Sequence, residues 1–87
     1  MQIFIRSPEL VEQIIDGDTV LLDKAAGQIH QLNATASTIW KACDGKTSIG
    51  DIAEQIAAKY DIDVELALVD VEKTIQQLET QNLIQPI

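Results

Sequence analysis

The sequence is poor in the residues that most enzymes use for chemistry. It has one cysteine, Cys43, and one histidine, His30, among 87 residues. A metal site needs several ligands together, and a catalytic nucleophile needs an adjacent base, so neither kind of site is predicted. We therefore expect a chain that is not an enzyme and that binds no cofactor and no metal.

A lone cysteine cannot form a disulfide within the chain. Ile39 and Trp40 lie four and three residues before Cys43, which indicates a buried thiol on one face of a helix. A buried free thiol is typical of a reducing compartment. The N-terminus carries no basic region followed by an apolar stretch, so no signal peptide is predicted and the expected location is cytoplasmic.

Basic residues and long apolar runs are also scarce. Six Lys and Arg stand against fourteen Asp and Glu, for a net charge of −8. Nucleic acids and anionic membranes are bound mainly through basic side chains, so both are excluded as partners. No apolar run is long enough to cross a bilayer. A neutral or basic protein partner fits this charge better.

The composition is that of a single small globular domain over residues 1–87. The hydrophobic fraction is 46%, which is normal for a folded chain. A domain of this size buries a small share of its surface and has a thin margin of stability. Help from a partner or from a second copy, as in a homodimer, is therefore compatible with its length.

The first part of the chain reads as three short strands. Leu10–Ile15 ends at Asp16-Gly17, a pair that favours a tight hairpin turn. Residues 19–23 are rich in strand formers, residues 24–27 form the next turn, and Gln28–Leu32 completes an antiparallel meander.

The rest of the chain has a helical period. Asn33 is a favourable N-cap for a first helix, Ala34–Ala42, and Gly45 is the expected residue at its end. Thr47 or Ser48 begins a second helix with an apolar stripe through Tyr60. The stripes of these two helices are Ala36, Ile39, Trp40 and Cys43, then Ile49, Ile52, Ala53, Ile56, Ala57 and Tyr60.

A longer third helix follows, and it begins at Asp61 or Asp63 and runs to about Gln81. Its predicted stripe is Val64, Leu68, Val71, Ile75 and Leu78. Asn82 ends it, and Leu83-Ile84 is expected to fold back on the core. Three strands followed by three helices predict an α+β domain with a winged-helix-like topology.

A winged-helix topology raises DNA binding as an alternative. A recognition helix carries Arg or Lys to reach bases and phosphates. The third helix instead offers Glu65, Asp70, Glu72 and Glu79, with Lys73 as its only base. The surface has the wrong sign, and DNA recognition is not expected.

An edge strand remains as the feature that could bind a partner. A meander leaves unpaired backbone groups that can accept another chain as an added strand. If Gln28–Leu32 is an edge beside the third helix, a groove lies between them. On the helical wheel, Ala67, Asp70 and Thr74 border the apolar stripe on one side.

Several ordered motifs make the sequence similar to a known family. They are residues 17–23 (GDTVLLD), 27–33 (GQIHQLN), 35–40 (TASTIW), 43–45 (CDG), 52–53 (IA), 60–61 (YD), 70–71 (DV) and 82–84 (NLI). Together they resemble the PqqD-like family, named for pyrroloquinoline quinone biosynthesis protein D, over about residues 10–84. Asn82 stands where Gly is common in that family, a mild departure because Asn also tolerates a left-handed cap.

The resemblance implies that the domain recognises the leader of a ribosomally made precursor peptide and presents it to modifying enzymes. In that family the leader adds as an antiparallel strand to the third strand, in the groove against the third helix. Asp70, in the matched motif, is the best single candidate for a specificity contact. The implied contact residues are Gln28, Ile29, His30, Gln31, Leu32, Ala67, Asp70, Val71 and Thr74.

The residues leave the pathway open. A stand-alone recognition protein for a lasso-type or similar peptide would work with a protease or cyclase. A PqqD proper would partner a radical enzyme in cofactor biosynthesis. A third alternative, of another class, is a structural module that forms oligomers by pairing its sheet edge with a second copy.

Overall fold

The protein is described by a computed structural model covering residues 2–87. The described elements, in chain order, are β1 (Ile3–Arg6), β2 (Leu10–Ile15), β3 (Asp18–Asp23), β4 (Gln28–Leu32), α1 (Ala34–Ala42), β5 (Asp44–Ser48), α2 (Ile49–Tyr60), α3 (Val64–Thr80) and β6 (Ile84–Pro86). The α+β class and the meander followed by helices are confirmed. The strands form two antiparallel sheets, β2-β3-β4 and β5-β1-β6.

The β2-β3-β4 sheet, which we call the meander, follows the predicted turns. Asp16 and Gly17 have φ angles of 52° and 86°, as a two-residue hairpin turn with the right-handed strand twist requires. The second turn closes with Gly27 at φ 67°. Its loop is held by Asp23, whose Oδ1 accepts a hydrogen bond of 3.1 Å from the Ala26 N–H.

The β5-β1-β6 sheet, which we call the terminal sheet, was not predicted. Its central strand β1 pairs Ile3 with Ser48 of β5 and Arg6 with Ile84 of β6. The prediction that Gly45 ends the first helix is wrong, because α1 ends at Ala42 and Gly45 lies within β5. At φ 81°, Gly45 adopts a conformation that side chains disfavour.

The helix starts agree with the sequence signals. The Asn33 side chain accepts from the Ala36 N–H at 2.9 Å, and the Ser48 hydroxyl accepts from the Asp51 N–H at 3.2 Å. Ser48 and Asp63, and not Thr47 and Asp61, are the N-caps of α2 and α3. Asp61 instead ends α2 in the left-handed conformation, with φ 53°.

The core is built where the three helices meet both sheets. Its buried side chains are Phe4, Leu21, Leu32, Ile39, Trp40, Cys43, Ile52, Ala53, Ile56, Ala67, Val71, Ile75, Leu78, Leu83 and Ile84. The predicted stripes supply most of them. Val64 and Tyr60, at the ends of their helices, are exposed instead.

The chain end folds back as expected. Asn82 adopts the left-handed conformation at φ 61°, and the Leu83 N–H donates to the Leu78 carbonyl at 2.9 Å, which is the closure of a Schellman motif. Leu83 is fully buried, and its carbonyl accepts from Trp40 Nε1 at 3.1 Å. This contact joins the C-terminal segment to α1.

Candidate functional site

The register of the meander decides which backbone groups of β4 are free. In a two-residue hairpin of this type, the residues that flank the turn form a hydrogen-bonded pair, here Ile15 and Asp18. Bonding then alternates along β3, because successive residues direct their N–H and C=O groups to opposite neighbours. Val20 therefore bonds to β2, and Thr19 and Leu21 bond to β4.

The pairing between β3 and β4 carries this alternation to the edge. Thr19 is opposite Leu32, Leu21 is opposite His30, and Asp23 is opposite Gln28. These three residues of β4 direct their backbone groups inward to β3. Ile29 and Gln31 consequently direct both N–H and C=O to the free edge. The site thus offers two donors and two acceptors, at the spacing that an added strand requires.

The side chains of β4 divide between the two faces of the sheet. Gln28, His30 and Leu32 share a face with Leu21, which is buried against the helices, and Leu32 is buried with it. Ile29 lies on the opposite face and is 72% exposed. Gln31 shares that outer face, where its Nε2 donates to Asp18 Oδ2 at 3.1 Å.

One ring nitrogen of His30 lacks a hydrogen-bond partner. Its Nε2 atom is buried and has no protein partner in the described chain. Whichever tautomer is present, Nε2 is either a donor or an acceptor without a partner. Leaving a buried polar atom unsatisfied costs about 1–3 kcal/mol. A group arriving beside β4 could remove this cost.

Two of the predicted contact residues on α3 are fully buried. Ala67 and Val71 are both 0% exposed and belong to the same core cluster as Leu32. In the described conformation their side chains cannot be direct contacts for a peptide. They form packing beneath the surface, because the buried stripe of α3 includes them.

Asp70 and Thr74 flank the buried stripe on one side. Asp70 is exposed and Thr74 is half-buried. The opposite flank carries Glu72, Gln76 and Glu79, which line an open cleft against Gln2 and Phe4. The Asp70 flank is therefore the side of α3 that is turned away from β1. No ion pair within residues 2–87 involves Asp70, and the pair between Lys41 Nζ and Glu12 Oε2, at 3.7 Å, lies elsewhere.

The thiol of Cys43, the one cysteine of the sequence, is in a form with low reactivity. Cys43 is fully buried, and burial raises the pKa of its thiol to about 11. Its Sγ lies 3.3 Å from the Ile39 carbonyl. A thiol with this pKa carries almost no thiolate near neutral pH and is a poor nucleophile.

Two other features are absent from the described part of the chain. Within residues 2–87, no group of three or more His, Cys, Asp and Glu side chains is arranged to hold a metal ion. Among the same residues, no helix combines the length and the apolar character needed to span a membrane.

Asp18 was missed by the sequence reasoning. Its carboxylate fixes the Gln31 side chain on the outer face of the meander. The signal was a carboxylate directly after a tight turn, but its diagonal neighbour on β4 can be identified only once the register of both hairpins is known.

Comparison with known proteins identifies the class. The family model for "Coenzyme PQQ synthesis protein D (PqqD)" matches residues 18–84. The chain therefore belongs to the PqqD family. The matched segment runs from the start of β3 to the start of β6, so it contains β4 and α3. A search of curated proteins gave no match.

Two solved structures are similar over almost their whole length. One is "TbiB1 in Complex with the TbiA(beta) Leader Peptide", with a TM-score of 0.82 and 26% identity, covering 93% of this chain and 94% of that one. The other is "Lasso peptide synthetase B1 complexed with the leader peptide", with a TM-score of 0.83 and 28% identity, covering 95% of this chain and 98% of that one.

Proposed function

We propose that this chain is a non-catalytic recognition domain that binds the leader segment of a ribosomally made precursor peptide. The leader adds to β4 as an antiparallel strand. The observation that carries the proposal is the free edge of β4, where Ile29 and Gln31 present unpaired backbone donors and acceptors. The two solved structures described above are complexes with a leader peptide, which supports the same role here.

The proposed contacts fall into three groups. Backbone groups of Ile29 and Gln31 provide affinity that does not depend on the leader's side chains. Gln28, His30 and Leu32 form the β4 wall of the groove, and His30 Nε2 gains a partner there. On α3, Asp70 and Thr74 provide specificity, and buried Ala67 and Val71 support them from below.

Asp70 sets the expected chemistry of the leader. An exposed carboxylate without an ion pair within residues 2–87 favours a basic side chain at the matching position of the leader. Replacing it by Asn keeps the shape and removes the charge. Asp70→Asn should weaken binding by about fivefold at low salt and by less at high salt. Glu72→Gln, on the opposite flank, is the matched control and should leave leader affinity unchanged.

The domain is proposed to act with a separate modifying enzyme, a protease or cyclase of a lasso-type or similar pathway. The similarity to a lasso peptide synthetase B1 favours this alternative over a PqqD proper, which would partner a radical enzyme. The family match supports a PqqD proper, because the description of the family names coenzyme PQQ synthesis. A location in the cytoplasm is part of the proposal, and the buried free thiol of Cys43 supports it.

The test is a titration with the leader of any short precursor peptide that is encoded beside this protein. Isothermal calorimetry should give a one-to-one complex, and the precursor should keep its mass when incubated with the domain alone. Adding the neighbouring enzyme should process the precursor faster with the domain than without it. Failure of the leader to bind would refute the recognition role.

A structural oligomerisation module is the competing function. It would use the same edge to pair with a second copy. Sedimentation of the free protein distinguishes the two, because a dimer that dissociates on dilution and is indifferent to the leader would favour the module.

A further inference from the structure

A second apolar surface lies on α3, beside the groove. Leu66 and Val69 are each 62% exposed, and Ile62, just before the helix, is 38% exposed. Leu66, Val69 and Lys73 are spaced three and four residues apart, so they share one face of the helix. That face is opposite the buried stripe. We call Ile62, Leu66 and Val69 the outer stripe.

The outer stripe has no structural task in this fold. It is separated from the core by the full width of the helix, and α2 packs on the other side of α3, through the buried stripe. Three large aliphatic side chains at neighbouring exposed positions, two on α3 and one just before it, are typical of an interaction surface. The groove proposed for the leader uses the Asp70 and Thr74 flank, so the two surfaces are neighbours that meet at Asp70.

The charges around the outer stripe are strongly one-sided. Residues 61–73 contain five carboxylates and one lysine: Asp61, Asp63, Glu65, Asp70, Glu72 and Lys73. None of the five carboxylates takes part in an ion pair within residues 2–87. Glu65 and Glu72 border the stripe on one side and Asp70 on the other. A stripe of apolar side chains bordered by carboxylates without ion pairs is complementary to an apolar stripe that is bordered by basic side chains.

We propose that the outer stripe docks an amphipathic helix of another protein, one whose apolar stripe is bordered by Lys and Arg. Packing of two helices through such stripes buries the apolar side chains and leaves opposite charges facing across the rim. A second copy of this chain is a poor occupant, because each copy carries a charge of −8 and would place carboxylates against carboxylates. The proposal goes beyond leader recognition and does not rest on it.

The test uses three synthetic peptides and the full chain labelled with ¹⁵N. The probe is an amphipathic helix of Leu and Lys. The controls are its scrambled sequence, with the same charge but no stripe, and a Leu and Glu version. The probe should shift the amide signals of residues 62–73 and spare those of Gln28–Leu32. The two control peptides should bind at least about tenfold more weakly.

Variants locate the surface. Leu66→Gln with Val69→Gln should reduce probe affinity by about tenfold or more, because both lose their apolar contact. Ile14→Gln is the matched control, since Ile14 is also 62% exposed but lies on β2; its affinity should be unchanged. Glu65→Gln with Glu72→Gln should weaken binding by about threefold, and less at high salt. An unchanged circular dichroism spectrum and urea midpoint show that each variant is folded.

Three results would overturn the proposal. The scrambled peptide could bind as well as the probe, which would reveal simple charge attraction. The Leu66 and Val69 double variant could bind the probe with unchanged affinity. A dimer of the free protein that the double variant abolishes would assign the outer stripe to a second copy. None of these results bears on leader binding at β4.

Discussion

The meander and the terminal sheet are both three-stranded and antiparallel, but their edge strands differ in length and composition. The terminal sheet has short or interrupted edges: β6 has three residues and ends in Pro86, and β5 contains Gly45. The meander has edges of five and six residues, β4 and β2, without Pro or Gly. Proteins usually protect long edges because they invite another chain to pair. Because only the meander has long, uninterrupted edges, this difference supports the proposal that the leader adds to the meander.

The terminal sheet contributes chiefly to stability. Its central strand joins residues near the N-terminus to β5 and to the C-terminal segment, and Phe4 of that strand is buried in the core. The Cβ of an alanine at Gly45 would lie 3.2 Å from Ile87 Cδ1 and 3.3 Å from Ile5 Cδ1. The interruption in β5 is therefore closely packed against its neighbours.

The largest expected difference in stability between the two sheets is found by substituting Phe4. Phe4→Ala removes a buried ring from the terminal sheet and should lower the free energy of unfolding by about 3–5 kcal/mol. Ile29→Ala, on the exposed edge of the meander, should change it by less than about 0.5 kcal/mol. Urea denaturation followed by circular dichroism measures both. Equal losses in the two variants would contradict the division between a stabilising sheet and a binding sheet.

The pH dependence of the free energy of unfolding tests the stabilising role of Cys43, which lies where α1 meets the terminal sheet. Burial raises the pKa of this thiol from 9.0 to about 11, so the folded chain holds the proton where the unfolded chain has lost it. The contribution of Cys43 is fully present below pH 9 and declines as pH rises toward 11. The free energy of unfolding should fall over this range. Cys43→Ala should remove this part of the decline, and the same slope in the variant would refute the assignment.

The open edge is tested by a proline at Gln31. Gln31→Pro removes a backbone donor that faces the free edge and should weaken leader binding by about tenfold or more. Gln31→Ala keeps the backbone N–H and should change affinity by no more than about twofold. Calorimetric titration of both variants compares them directly. If the alanine variant loses as much affinity as the proline variant, the side chain of Gln31 is the contact and not its backbone.

The smallest effect is expected at His30. His30→Leu removes the unpartnered Nε2 and should raise the free energy of unfolding by about 1 kcal/mol. The same change should weaken leader binding by about threefold to fivefold, because the leader loses a hydrogen bond. Stability and affinity moving in opposite directions is the signature to look for. A loss of both would instead assign His30 a structural task.

Most of the meander and the helices could be predicted because their signals are local. Asp16-Gly17 identifies a hairpin turn from two residues, and Asn33 and Ser48 mark helix starts within one turn. The terminal sheet could not be predicted in this way. Ile3 pairs with Ser48 and Arg6 with Ile84, so each strand finds its partner far along the chain. Within β5, Asp44, Gly45 and Lys46 are poor strand formers.

The sequence predicts the edge strand at the candidate site, but it does not predict which side chains of α3 are buried there. A helical wheel shows that Ala67 and Asp70 are near each other; it does not show where the surface ends. The alternation at β4 needed the register of two hairpins, which sets Ile29 and Gln31 apart from His30. The outer stripe has a clear spacing at Leu66 and Val69, but only their exposure in the folded chain distinguishes it from a core stripe.

Amide hydrogen exchange tests strand addition at β4 most directly. In the free chain the Ile29 and Gln31 amides should exchange fast, and the His30 and Leu32 amides slowly, because only the second pair donates to β3. On leader binding, the account predicts strong protection of Ile29 and Gln31, with β2 amides such as Glu12 unchanged. Binding that leaves Ile29 and Gln31 unprotected, or that protects β2 instead, would contradict it.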